Sequence, residues 1–157
     1  MSKFQLKNFF KAAYDLMLVF LQFIIISLHF FQWEFTPQKQ IIQASSFSYF
    51  LGILIIIIAF IIMLVAIKDL GRNLSPFPSP INNINLVRSG IYRFTRHPMY
   101  YSLIFISTGV FIIKLSFYYL FLTISLALII KFKINLEEKY LINKFKNYLL
   151  YKNEAKV

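Results

Sequence analysis

The sequence has no cysteine and only two histidines, His29 and His97. The first absence excludes a disulfide framework, a thiol nucleophile and a thiolate-bound metal. The second leaves little for an imidazole-based site, so no metal is expected. Acidic residues are scarce too: six Asp and Glu stand against seventeen Lys and Arg, for a net charge of +11. Charged residues of both signs make up 15% of the 157-residue chain, against about 25% in an ordinary soluble domain, while 59% of residues are hydrophobic and 19% aromatic. One soluble core of this length cannot hide so much Ile, Leu and Phe. A water-soluble globule is excluded, and the length excludes a long multidomain enzyme.

What the chain has in quantity is apolar runs, at about residues 16–33, 47–67, 99–113 and 115–130. The first is interrupted by Gln22, His29 and Gln32. The second, Phe47 to Ile67, carries no charge and as a helix measures about 31 Å, the thickness of a hydrocarbon core. The third and fourth are separated only by Lys114; joined, they would make a helix of about 48 Å, so a hairpin turning at Lys114-Leu115-Ser116 is expected. Backbone polar groups in lipid must be satisfied within the span, which favours helix throughout. The expected fold is therefore all-α: one polytopic membrane domain over residues 1–157, with about four transmembrane helices, the last two a hairpin. Gly52 and Gly109 suit close helix contact.

Fifteen of the seventeen cations lie before residue 12, in the 68–98 loop and in the 131–157 tail, leaving Lys39 and Lys114 elsewhere. The positive-inside rule then places both termini, the loop and the tail in the cytoplasm, with 34–46 as an outer connector. Orientation accounts for the basic excess, so the expected partner is the bilayer and no nucleic acid is called for. No small-residue cleavage site follows the first apolar run, which argues against a signal peptide. The Ile-, Lys-, Phe- and Asn-rich composition suits a bacterium of low G+C content, and hence its inner (cell) membrane. Trp33, Tyr49, Tyr100 and Tyr101 fall near span ends, where amphipathic rings prefer to sit. Asp15 is expected at the inner boundary, His29 at the opposite end. Ser75 to Pro80 (SPFPSP) reads as an extended segment, and the tail from Lys131 as a polar helix continuing the fourth span.

The segment LVRSGIYRFTRHPMYYS, Leu86 to Ser102, is the most informative in the chain. Ser89-Gly90 signals a turn. His97 precedes a proline and is pushed towards extended geometry, while Pro98 suits the first turn of a helix. Arg93, Arg96 and His97 thus gather at the positive end of a helix dipole, a place that attracts a carboxylate or phosphate. After the hairpin come Lys133 and Glu137, which share a helix face, and Glu138 beside them.

These two motifs resemble those of the isoprenylcysteine carboxyl methyltransferase and phospholipid methyltransferase group of integral membrane enzymes. Leu86-Val87, Gly90, Tyr92, Arg96-His97-Pro98 and Tyr100 match the first motif. Glu137-Glu138, Leu141, Phe145 and Tyr148 match the second. The resemblance covers about residues 70–151 and implies methyl transfer from S-adenosyl-L-methionine at the membrane face. It would place cofactor contacts on Leu86, Val87, Tyr92, Arg96, His97, Pro98, Met99 and Tyr100, and make SPFPSP a wall of the pocket. Catalysis would fall on Lys133 and Glu137. An amphiphilic acceptor, whether a small molecule, a lipid or a prenylated group, would meet Lys133, Glu137 and Glu138. Lys133 stands where the prenylcysteine enzymes tend to have arginine, which removes bidentate recognition of a carboxylate. Two other readings compete: an NADPH-dependent sterol- or steroid-type membrane reductase, and a non-catalytic protein of the same fold. Met99, Tyr101 and Ser102 depart from the reductase pattern of asparagine before the tyrosine and glycine with an acidic residue after it.

Overall fold

A computed structural model describes residues 3–30, 45–79 and 85–155, with the side chains of 3–5, 7 and 8 excepted. All regular elements among them are helical: α1 (Lys3–Phe30), α2 (Ser46–Leu70), α3 (Pro98–Lys114), α4 (Phe117–Lys144) and α5 (Tyr148–Glu154), with short 3-10 turns at Gly71–Asn73 and Gly90–Arg93. Three of them are long and apolar enough to cross a membrane, at Phe9–Phe30, Ser46–Asn73 and Phe117–Lys144, and α3 is a shorter apolar helix of 17 residues. The protein is an all-helical membrane protein. Trp33, nearly all of the 34–46 connector and Pro80 lie outside the described residues.

Local signals set the helix ends. Ser45 caps α2, its Oγ accepting the Ser48 N–H at 3.2 Å, and Gly71 closes it with φ of 53°. Pro98 opens α3, where its missing N–H costs nothing. The hairpin turns where the sequence placed it: Leu115 adopts left-handed φ of 44°, and Ser116 caps α4 through Tyr118 N–H. Two boundaries differ from the apolar runs. α1 begins well before residue 16, and α4 continues unbroken to Lys144, because Lys and Glu are good helix formers and do not stop a helix that leaves the apolar layer.

Packing runs from α2 onto α3, α3 onto α4, and α4 onto α1. The α2–α3 contact is the most extensive. The buried residues of α2 are Gly52, Ala59 and Ala66, seven apart, and Gly52 meets Gly109 of α3. A Cβ on Gly52 would sit 2.7 Å from the Gly109 carbonyl, and one on Gly109 would sit 2.8 Å from the Gly52 carbonyl. Small residues therefore let two backbones touch, which is the usual source of helix affinity where lipid removes the hydrophobic drive. Large side chains such as Phe20, Phe50, Phe60 and Phe121 point outwards.

Candidate active site

The inward stripe of α4 changes character along its length. Tyr119, Leu122, Leu126 and Ile130 form an apolar cluster with Ile25 of α1. One turn on, the same face continues as Lys133 and then Glu137. Lys133 is 1% exposed. Its Nζ donates to Gln22 Oε1 at 2.6 Å and to the Pro76 carbonyl at 3.0 Å, and lies 5.2 Å from the centre of the Tyr100 ring. The Tyr100 hydroxyl donates to Glu137 Oε2 at 2.8 Å, and its ring stacks on His97 at 5.7 Å. Although Lys133 and Glu137 share a face, Lys133 reaches across to α1 while Glu137 is held from α3.

Glu138, on the neighbouring face, gathers cations. Arg96 Nε donates to Oε1 at 2.9 Å, Lys152 Nζ donates to Oε2 at 2.6 Å, and His97 Nε2 lies 3.5 Å from Oε1. Arg96 Nη1 also donates to the carbonyls of Lys152 and Ala155, at 3.0 and 2.7 Å, and so caps the end of α5. Arg88 Nη2 holds the Asn147 carbonyl at 2.8 Å, and the Tyr151 hydroxyl donates to the Tyr92 carbonyl at 2.6 Å. Four bonds thus tie α5 and its two caps to the 88–96 segment. That segment is shaped by Gly90, whose φ of 60° favours glycine. Its missing Cβ also leaves room for the Asp69 carboxylate, which accepts the Ile91 N–H at 2.8 Å.

Between α5, the 75–79 segment and the later part of α4 lies a solvent-open cleft, about 640 Å³ when the open solvent at its mouth is counted. Phe77, Tyr92, Phe145, Tyr148 and Tyr151 give it aromatic walls; Leu70, Leu86, Val87 and Leu141 add apolar ones; Arg96 and Glu137 bring one charge of each sign. Burial, and secondarily Glu137, raises the Tyr92 hydroxyl above the ordinary tyrosine value. Burial does the same for Tyr148 and Tyr151, so all three are neutral donors at physiological pH. The Tyr148 hydroxyl is buried without a partner.

Of the residues singled out in the sequence, Leu86, Val87, Tyr92, Arg96 and Glu137 line the cleft. His97, Pro98, Met99 and Tyr100 do not line it, though His97 meets Glu138 and Tyr100 meets Glu137. Lys133 is off the cleft, beyond Tyr100, and Glu138 anchors α5. Arg93 is exposed and takes no part in this cluster. Ser75, Phe77, Pro78 and Ser79 do wall the cleft, bent rather than straight, with Ser75 Oγ accepting the Phe77 N–H.

Asp15, read as a boundary residue, is buried and accepts a hydrogen bond from Ser79. Sequence reasoning missed Gln22, Asp69, Tyr151 and Lys152. For Gln22 a signal existed. Asp15, Gln22 and His29 are seven apart in an apolar helix, which puts three polar side chains on one face, and a polar face in a span turns inward.

Fold and cleft together define a helical membrane protein with an aromatic-walled cleft at one end of its bundle. The profile of the phospholipid methyltransferase family matches residues 47–148, more than half of the chain, and the protein belongs to that family of membrane methyltransferases. No curated protein sequence and no solved structure matches the chain.

Proposed function

We propose that the protein transfers a methyl group from S-adenosyl-L-methionine to an anionic amphiphile that reaches Lys133 from the bilayer. The observation that carries this reading is that the 86–96 and 137–148 segments wall one cleft, which ends at Glu137, one helical turn from the buried cation Lys133. The residues fit the cofactor. Five aromatic rings suit an adenine, the unpartnered Tyr148 hydroxyl suits a polar atom of the nucleoside, and Arg96 and Glu137 suit the two charges of an amino-acid end. Arg96 spends Nε and both Nη1 hydrogens on the protein, so the Nη2 pair of its five donors has no protein partner among the described residues.

When bound, the cofactor supplies a methyl on a sulfonium, and its passage to an acceptor lone pair leaves a neutral thioether. The chain's part is positioning and exclusion of water. Lys133 binds the acceptor's negative charge. Tyr100 fixes Glu137 at the cleft wall and keeps its ring beside Lys133. A carboxylate acceptor has no proton to lose, so no general base is required. Glu138 holds Arg96 and Lys152 and thereby keeps α5 over the cleft. The concentration of cations in the 68–98 loop and the tail supports a site facing the cytoplasm.

Calorimetry on the purified protein tests this reading with S-adenosylhomocysteine and NADPH in parallel. Saturable binding of S-adenosylhomocysteine alone, weakened by Tyr148→Phe, is the expected result. Binding of NADPH alone points to a reductase, and binding of neither points to a non-catalytic protein of the same fold.

A further inference from the structure

Lys133 is an uncommon kind of buried cation. Its two hydrogen-bond partners, Gln22 Oε1 and the Pro76 carbonyl, are both neutral. Among the described residues every ion pair runs to Glu138, so no carboxylate touches Lys133; Glu137 and Asp15 attract it only from a distance. One of its three N–H donors has no hydrogen-bond partner among those residues. Burying an ammonium with neutral partners alone is costly, and a carboxylate at position 22 would relieve the cost. An amide there does something a carboxylate cannot. It fixes the direction of the ammonium and leaves its charge intact.

Gln22 comes from α1, which lies outside the 47–148 family match. The same face of α1 carries Asp15, bonded to Ser79 of the cleft wall. Lys133 also grips Pro76 of that wall. α1 is therefore joined to the site at two places, directly and through Lys133.

We infer that Gln22 is a positioning residue of the acceptor site: it aims the Lys133 ammonium and keeps it unneutralised, so that α1 completes a subsite for the anionic head of an amphiphile. This rests on reading Lys133 as the acceptor's anchor.

The test is equilibrium binding of laurate, with uncharged dodecanol as control, to the full chain in phosphatidylcholine nanodiscs. It compares wild type, Gln22→Glu and Gln22→Met, with S-adenosylhomocysteine affinity measured on each. Gln22→Glu keeps an acceptor for Lys133 but cancels its charge, whereas Gln22→Met removes the acceptor and keeps the charge. The inference predicts that wild type prefers laurate to dodecanol. It predicts laurate affinity lower by about threefold in Gln22→Met and by about tenfold or more in Gln22→Glu, with dodecanol and S-adenosylhomocysteine unchanged.

A plain structural tether predicts the reverse order, Gln22→Glu like wild type and Gln22→Met worst, and that order overturns the inference. So does a wild type that does not distinguish laurate from dodecanol. If Gln22→Glu loses both ligands through misfolding, Gln22→Met decides: weaker laurate with unchanged dodecanol and S-adenosylhomocysteine upholds the inference, while an equal loss of dodecanol, or wild-type laurate binding, overturns it. Failure of S-adenosylhomocysteine to bind any of the three, with the laurate order intact, defeats the methyl-transfer reading while leaving the role of Gln22 standing.

Discussion

The two halves of the bundle solve the problem of buried polarity in opposite ways. In the half nearer the hairpin turn the polar groups are uncharged or self-contained. His29 Nδ1 donates to the Ile25 carbonyl at 2.8 Å, its Nε2 meets Ser107 Oγ at 2.7 Å, and Ser107 meets Thr123 Oγ1 at 2.8 Å. Tyr118 donates to the Leu28 carbonyl at 3.0 Å. Among the described residues only the Tyr119 hydroxyl is left over there. In the other half stand Asp15, Lys133, Arg96, Glu137 and Glu138, in or near the cleft; Asp15 Oδ1 and the Tyr148 hydroxyl have no hydrogen-bond partner among the described residues, and His97 Nε2 has only its 3.5 Å approach to Glu138. α1 contributes to both halves, with His29 in one and Asp15 and Gln22 in the other. A closed chain of hydroxyls and an imidazole ties helices together. A charged cluster beside a cleft, with polar atoms unpartnered among the described residues, is the chemistry the proposed site draws on.

That contrast makes a graded set of expectations. Arg96→Ala should have the largest effect, because it strips Glu138 of a buried partner and releases the end of α5; a loss of about 3 kcal/mol is expected in thermal unfolding, together with loss of S-adenosylhomocysteine binding. Gly109→Ala in the other half puts a Cβ 2.6 Å from Ile56 Cγ1 and 2.8 Å from the Gly52 carbonyl. It should cost about 1–3 kcal/mol with ligand affinity retained once the protein is folded. His29→Ala breaks the hydroxyl chain and should cost about 0.6 kcal/mol, a typical value for a hydrogen bond between spans, again without effect on affinity.

The sharpest contrast comes from the smallest change. Tyr148→Phe and Tyr119→Phe each remove a buried hydroxyl that has no partner, so both should leave the melting temperature unchanged or slightly higher. Tyr148→Phe alone should weaken S-adenosylhomocysteine, by about fivefold, the worth of one neutral hydrogen bond.

Much of this was legible from residues in a row. The apolar runs marked helices α1 to α4, of which three are long enough to span, Lys114 to Ser116 marked the hairpin turn, and Gly52 and Gly109 marked a close helix contact. The turn at Gly90 and the proline at 98 located one half of the cleft, and the paired glutamates located the other. What the sequence left hidden is which glutamate does what. Adjacent residues on a helix point about 100° apart, so Glu137 meets the cleft and Glu138 meets α5, a distinction that needs the helix phase relative to its neighbours. Arg96 likewise read as an anion site, because nothing in its neighbourhood along the chain announces that carbonyls at 152 and 155 will claim it. Gln22 was half legible. Its place on the polar face with Asp15 and His29 turns it inward, but its partner lies 111 residues away and only the fold brings it opposite.

Hydrogen–deuterium exchange of the full chain with and without S-adenosylhomocysteine tests the division of the bundle directly. The account predicts slowed exchange confined to residues 70–79, 85–96 and 137–155, with the helical stretches around His29, Ser107 and Thr123 unaffected. Protection centred on the hairpin half, or no protection at saturating ligand, would contradict it.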